Sequence, residues 1–100
     1  MRYSVTMTSP AHKMLKKLSP DIRKYIVKRA QALAQNSQLG EQLRGELRAF
    51  RSLHAVYRNT DYRVIYEINH ALKEIIVRAV GSRENLYKNL RRMKLRSMAS

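Results

Sequence analysis

Apolar and polar positions change their spacing several times along the chain, and each change marks an element. Tyr3, Val5 and Met7 alternate with Ser4, Thr6 and Thr8, the period of a half-buried strand. Ser9-Pro10 then offers a capping hydroxyl followed by a preset backbone angle, and Ala11, Met14, Leu15 and Leu18 recur at helical spacing. Ser19-Pro20 repeats that punctuation and opens a second helix with Ile22, Ile26, Ala30 and Leu33 on one face. Residues 35–45 lose the apolar stripe and hold Gly40 and Gly45, so they read as a connection.

From Leu47 the period falls towards two, through Phe50, Leu53, Ala55 and Tyr57. Asn59-Thr60-Asp61 supplies turn residues before a strand from Tyr62 to Ile68, predicting a hairpin. Asn69-His70-Ala71 makes a second tight connection. Lys73 to Val80 contains the β-branched run Ile75-Ile76-Val77 expected of a central strand, with Gly81 as its end. Beyond Ser82, Leu86, Leu90 and Met93 return to helical spacing. The predicted order is β-α-α-β-β-β-α: one α+β domain over residues 1–100, with a mainly antiparallel four-stranded sheet, two N-terminal helices on one face and a C-terminal helix.

Charge narrows the partners. Twenty-one Lys and Arg against seven Asp and Glu give a formal charge of +14, more than solubility asks for and costly in self-repulsion. Arg83, Lys88, Arg91, Arg92, Lys94 and Arg96 concentrate part of it near the C-terminus against Glu84 alone. Lys13, Lys16 and Lys17, then Arg23, Lys24, Lys28 and Arg29, give both helices basic faces suited to tracking phosphates. A polyanion such as nucleic acid is the expected partner. No apolar run approaches bilayer-spanning length and the first residues lack a signal-peptide core, so a cytoplasmic protein without membrane association is expected. With no cysteine and three scattered histidines, neither a disulfide framework nor a metal site is expected.

The candidate chemistry lies between His54 and Tyr87. Alternation puts Val64, Tyr66 and Ile68 on one face of their strand and Arg63, Ile65 and Glu67 on the other. If the helices cover the first face, Arg63 points from the opposite one, free to serve phosphate or paired with Glu67. Its planar fork of donors suits two phosphate oxygens. His54 lies one hairpin arm away, and histidine's ordinary pKa of about 6.5 suits proton transfer near neutrality. Arg83 follows the last strand, and Tyr87, about one helical turn on, is placed to stack on a base or join proton transfer. Nothing matches a glycine-rich phosphate loop, a serine or cysteine nucleophile motif, or a carboxylate pair for sugar chemistry.

Three stretches are shared with a known group: Leu43-Arg44-Gly45-Glu46-Leu47, Tyr62-Arg63-Val64-Ile65-Tyr66-Glu67-Ile68, and Val80-Gly81-Ser82-Arg83-Glu84-Asn85-Leu86-Tyr87. With the element order, they make the chain resemble the RelE/ParE superfamily of toxins from bacterial type II toxin-antitoxin modules, most closely the RelE-type mRNA interferases. The resemblance implies an endoribonuclease that cuts message in the ribosomal A site and inhibits translation. It implies no cofactor, and a cognate antitoxin, which charge predicts to be acidic, holding the toxin silent. It carries the phosphate-binding arginines onto Arg63 and Arg83 and the RNA-orienting tyrosine onto Tyr87. Where the best-known RelE toxin has two strand lysines, this sequence has His54 and Val56. Histidine can replace a lysine base; valine cannot. The expected catalytic set is therefore His54, Arg63, Arg83 and Tyr87, with Arg51, Arg58, Lys88 and Arg91 as further RNA- and phosphate-binding cations. Two alternatives stay open: a ParE-like inhibitor of DNA gyrase, and a homologue that binds RNA or ribosomes without cleaving.

Overall fold

The computed structural model describes residues 2–83 and Leu86. Strand β1 (Ser4–Met7) leads into α1 (Ser9–Lys16) and α2 (Pro20–Gln31), followed by β2 (Glu41–Gln42), β3 (Arg51–Tyr57), β4 (Thr60–Asn69) and β5 (Glu74–Ser82). Short 3-10 turns at Ala32–Ala34 and Gly45–Leu47 fill the connections. The sheet order is β1-β5-β4-β3-β2, and every pairing is antiparallel except β1 with β5.

The α+β class and the order of the described elements agree with the reading of the sequence; the details differ in four places. The sheet has five strands, because two residues of the connection, Glu41 and Gln42, pair with Ser52 and Arg51 at its edge. The cap of α1 is Thr8, whose hydroxyl accepts from the Ala11 amide at 3.3 Å, so Ser9 is already helical. The β3–β4 turn is Arg58-Asn59, with φ of 48° and 67°, the left-handed pair of a two-residue turn whose twist matches the flanking strands. Thr60 and Asp61 therefore belong to β4, and Asp61 faces Val56 across the hairpin. Gly81 does not end β5, which continues to Ser82. The expected C-terminal helix, apart from Arg83 and Leu86, lies outside the described residues.

Strand alternation sorts the side chains into two cores. Leu53, Ala55, Val64, Tyr66, Ile75, Val77 and Val80 pack with Ala11, Leu15, Ile26, Ala30 and Leu33 of the helical layer. On the opposite face Leu47, Phe50, Ile65, Ala79 and Leu86 make a smaller cluster. β4 is the centre of the sheet, and Arg63 through Tyr66 are buried without a break. Because Ile65 faces Ala79 while Tyr66 faces Val77, Arg78 is an extra residue in β5 and forms a bulge. Its guanidinium pairs with Glu67 at 3.1 Å.

Tyr66 also fastens the connection between the layers. Its fully buried ring carries a hydroxyl that donates to the Ser37 carbonyl at 2.8 Å and accepts from the Gly40 amide at 3.0 Å. A Cβ at Gly40 would lie 2.8 Å from the Tyr66 ring and 2.9 Å from the Ser52 carbonyl, so this approach requires glycine.

Candidate functional site

The hairpin register brings His54 directly opposite Arg63, on the face turned away from the helices. On the other side of Arg63, β5 presents Gly81, which has no side chain to fill the space. Arg63 is only 8% exposed, and a guanidinium at that depth must be paired. One partner is Asp61, two residues earlier on the same face. Arg63 Nε donates to Oδ1 at 3.1 Å and its NH2 group to Oδ2 at 3.0 Å, while NH1 donates to the Ser52 hydroxyl at 3.4 Å. Glu67 is not that partner, since it binds Arg78.

Asp61 is the electrostatic centre of the group. The hydrogen bond from Arg63 holds its carboxyl below the usual carboxylate range; burial opposes it, and the lesser effects of the Arg63, His54 and Arg83 charges act with the hydrogen bond. His54 Nδ1 stands 3.8 Å from Asp61 Oδ1, with its ring 46% exposed. Its own backbone carbonyl accepts from Nε and NH2 of Arg29 at 3.2 and 2.9 Å, which ties α2 to the strand that presents the imidazole. Arg63 and His54 thus meet at one carboxylate on the solvent side of the hairpin, and the charge of Arg83 is felt there as well.

Other candidate cations are placed elsewhere. Arg51 pairs with Tyr66 in register, so alternation sends it to the face opposite His54, where it donates to the carbonyls of Gly40 at 2.7 and 3.0 Å and Gln38 at 3.3 Å. Arg58 occupies the hairpin tip, its guanidinium 5.3 Å from the Tyr57 ring centre. Arg83 is exposed just beyond β5. Tyr87, Lys88 and Arg91 lie outside the described residues. Sequence reasoning gave Asp61 only a turn role, read Arg29 only as a phosphate-tracking cation of the second helix, and passed over Ser52. For Asp61 and Ser52 a signal existed: Ser52-x-His54 and Asp61-x-Arg63 each have the spacing of two that puts side chains on one strand face. Among the described residues no cluster of three His, Asp or Glu side chains could hold a metal ion, and no helix is long and apolar enough to cross a membrane.

Comparison with known proteins gives this chain a family. Residues 5–91 match the model of the ParE-like toxin of type II bacterial toxin-antitoxin systems. Among solved structures, the toxin-antitoxin complex RelBE2 of Mycobacterium tuberculosis contains a chain 30% identical, with a TM-score of 0.72 over 83% of this chain and 100% of that one. A double arginine-to-alanine mutant of the E. coli toxin RelE, in the free state, superposes with a TM-score of 0.71 at 21% identity, covering 87% of this chain and 90% of that one. A chain of the chromosomal ParDE system of P. aeruginosa gives 0.61 at 17% identity, over 81% and 96%. These last two likenesses speak for the fold alone. No curated protein matched the chain. The sequence motifs, the five-stranded sheet with its two covering helices, and the family match over nearly the whole chain agree: this protein belongs to the RelE/ParE family and is a toxin of a bacterial type II toxin-antitoxin system.

Proposed function

We propose that this toxin is an endoribonuclease that cleaves messenger RNA in the ribosomal A site. The observation that carries the reading is His54 standing directly opposite Arg63 on the outer face of the hairpin, both beside Asp61, whose carboxyl also feels the positive charge of Arg83. Such a site suits a phosphodiester whose own ribose supplies the nucleophile. The 2′-hydroxyl attacks the adjacent phosphorus, the bond from phosphorus to O5′ breaks, and the products are a 2′,3′-cyclic phosphate and a 5′-hydroxyl. His54 takes the proton from O2′, and water returns one to O5′. Arg63 and Arg83 oppose the negative charge that builds on the non-bridging oxygens, and Tyr87 positions the nucleotide by stacking. Arg58, Lys88 and Arg91 track neighbouring phosphates; Arg51 contributes indirectly, by holding the 38–40 backbone. No cofactor enters these steps. With a net charge of +14, the toxin is held silent by a cognate antitoxin whose wrapping segment is acidic, and it acts in the cytoplasm, where ribosomes are.

The test is cleavage of ribosome-bound message with mapping of the new 5′ ends. His54→Ala and Arg63→Ala are each expected to lower the rate by about 10² to 10⁴; undiminished rates in both remove these residues from the mechanism. A second reading, inhibition of DNA gyrase, is favoured by the ParE-like family match and by Val56, 57% exposed beside His54 where the best-known RelE toxin has its second lysine. Inhibited supercoiling with intact message would select it. Salt-sensitive ribosome binding with neither effect would point to a non-cleaving homologue.

A further inference from the structure

Among the described residues Asp61 is the one acid at a site otherwise built to attract phosphate, and neither the family match nor the expected catalytic set uses it. An acid beside a phosphate site opposes substrate binding, so its place there calls for a compensating role. Its geometry suggests one. Oδ1 accepts from Arg63 Nε at 3.1 Å and faces His54 Nδ1 at 3.8 Å, while Oδ2 accepts from the Arg63 NH2 group at 3.0 Å. The two-point pairing fixes the plane of the guanidinium, and Ser52 supports its NH1 group at 3.4 Å. A small rotation of the half-exposed imidazole closes the remaining distance to Oδ1, as hydrogen bonds in substrate-free sites often tighten on binding. Arg29, gripping the His54 carbonyl, keeps the backbone in place meanwhile.

We infer that Asp61 is a positioning residue that aligns both reacting partners at once, orienting the Arg63 fork and placing the His54 proton on Nδ1 so that the Nε2 lone pair faces the 2′-hydroxyl. A neutral imidazole carries one N–H and one lone pair, and a carboxylate beside Nδ1 selects the tautomer with the proton there. Nε2 is then the base. The consequence for rate rests on the RNA-cleavage reading; the consequence for the tautomer rests on the geometry alone.

The two consequences can be separated with Asp61→Asn, whose side chain keeps the shape and loses the charge. On ribosome-bound message, kcat is expected to fall on the order of 10²-fold, as for a misaligned reacting group. KM stays level or decreases, because a negative charge has left the phosphate's surroundings. Asp61→Glu, with the charge one methylene further out, should recover part of the lost kcat. An unchanged kcat, or a rise in KM with kcat intact, overturns the assignment. Nitrogen-15 NMR of the His54 ring at alkaline pH gives the second readout in the folded proteins: Nδ1–H in the wild type and Nε2–H in Asp61→Asn. If the wild-type protein cuts no message, the RNA reading falls while this spectrum still decides the role of Asp61. The same tautomer in both proteins would refute it.

Discussion

Replacing Tyr66 with Phe removes one oxygen from the centre of the molecule and tests how the sheet is joined to the 37–42 connection. The ring is fully buried, and the hydroxyl bonds both to the Ser37 carbonyl at 2.8 Å and to the Gly40 amide at 3.0 Å. The ring itself stays in place, so the loss is polar. Gly40 is buried, and its N–H is left without this partner; a stranded buried group costs about 1 to 3 kcal/mol. Ser37 is half-exposed, so its carbonyl can turn to water and adds less. A total of about 2 kcal/mol follows, which for a domain of this size corresponds to a Tm lower by roughly 8 to 16 °C. Urea unfolding followed by circular dichroism should show a lower midpoint at unchanged slope. Arg51 holds the carbonyl of the same residue, Gly40, from the side, so the double variant with Arg51→Ala should show a coupling of about 0.5 kcal/mol or more. A loss below about 0.5 kcal/mol for Tyr66→Phe, within the range of ordinary surface substitutions, would mean that the hydroxyl does not anchor this connection.

Gly40→Ala should destabilise by about 1 to 3 kcal/mol, read by the same urea titration, because the new methyl would meet ring carbon and backbone oxygen inside 3.0 Å. Asn59→Val should cost about 1 to 2 kcal/mol, since a β-branched residue must then adopt φ of 67° at the hairpin tip; a thermal melt reads it. Asp61 has a folded-state pKa below its unfolded one, so the stability it contributes is present above the unfolded value of about 3.9 and is lost as pH falls through the folded value. Asp61→Asn should therefore flatten the acid limb of a plot of stability against pH while leaving its shape above pH ~6 unaltered. With Asp61 a third exposed, the effect at neutrality should stay near 1 kcal/mol.

Local rules carried much of this protein. The period of two put Arg63, Ile65 and Glu67 on the face away from the helices, and the Ser-Pro steps and apolar spacing located both helices, because side-chain direction along an element depends only on its repeat. The motif spacing around Arg63 and Arg83 was enough to recognise the family. Pairing between distant segments followed other rules. Strand β1 lies parallel beside β5, and Glu41–Gln42 adds an edge strand, through contacts that no local pattern encodes. The turn fell on Arg58-Asn59 rather than on Asn59-Thr60-Asp61, since the twist of the paired strands demanded two left-handed residues and overrode the ordinary preference against arginine there. That shift turned Asp61 from an apparent turn residue into the strand residue that clamps Arg63 and faces His54. Alternation along β3 already sets Arg51 on the face opposite His54, and the fold there gives it backbone carbonyls in place of phosphate. Sequence alone named most of the cations around the site; only the register of the folded hairpin decided which carboxylate they share.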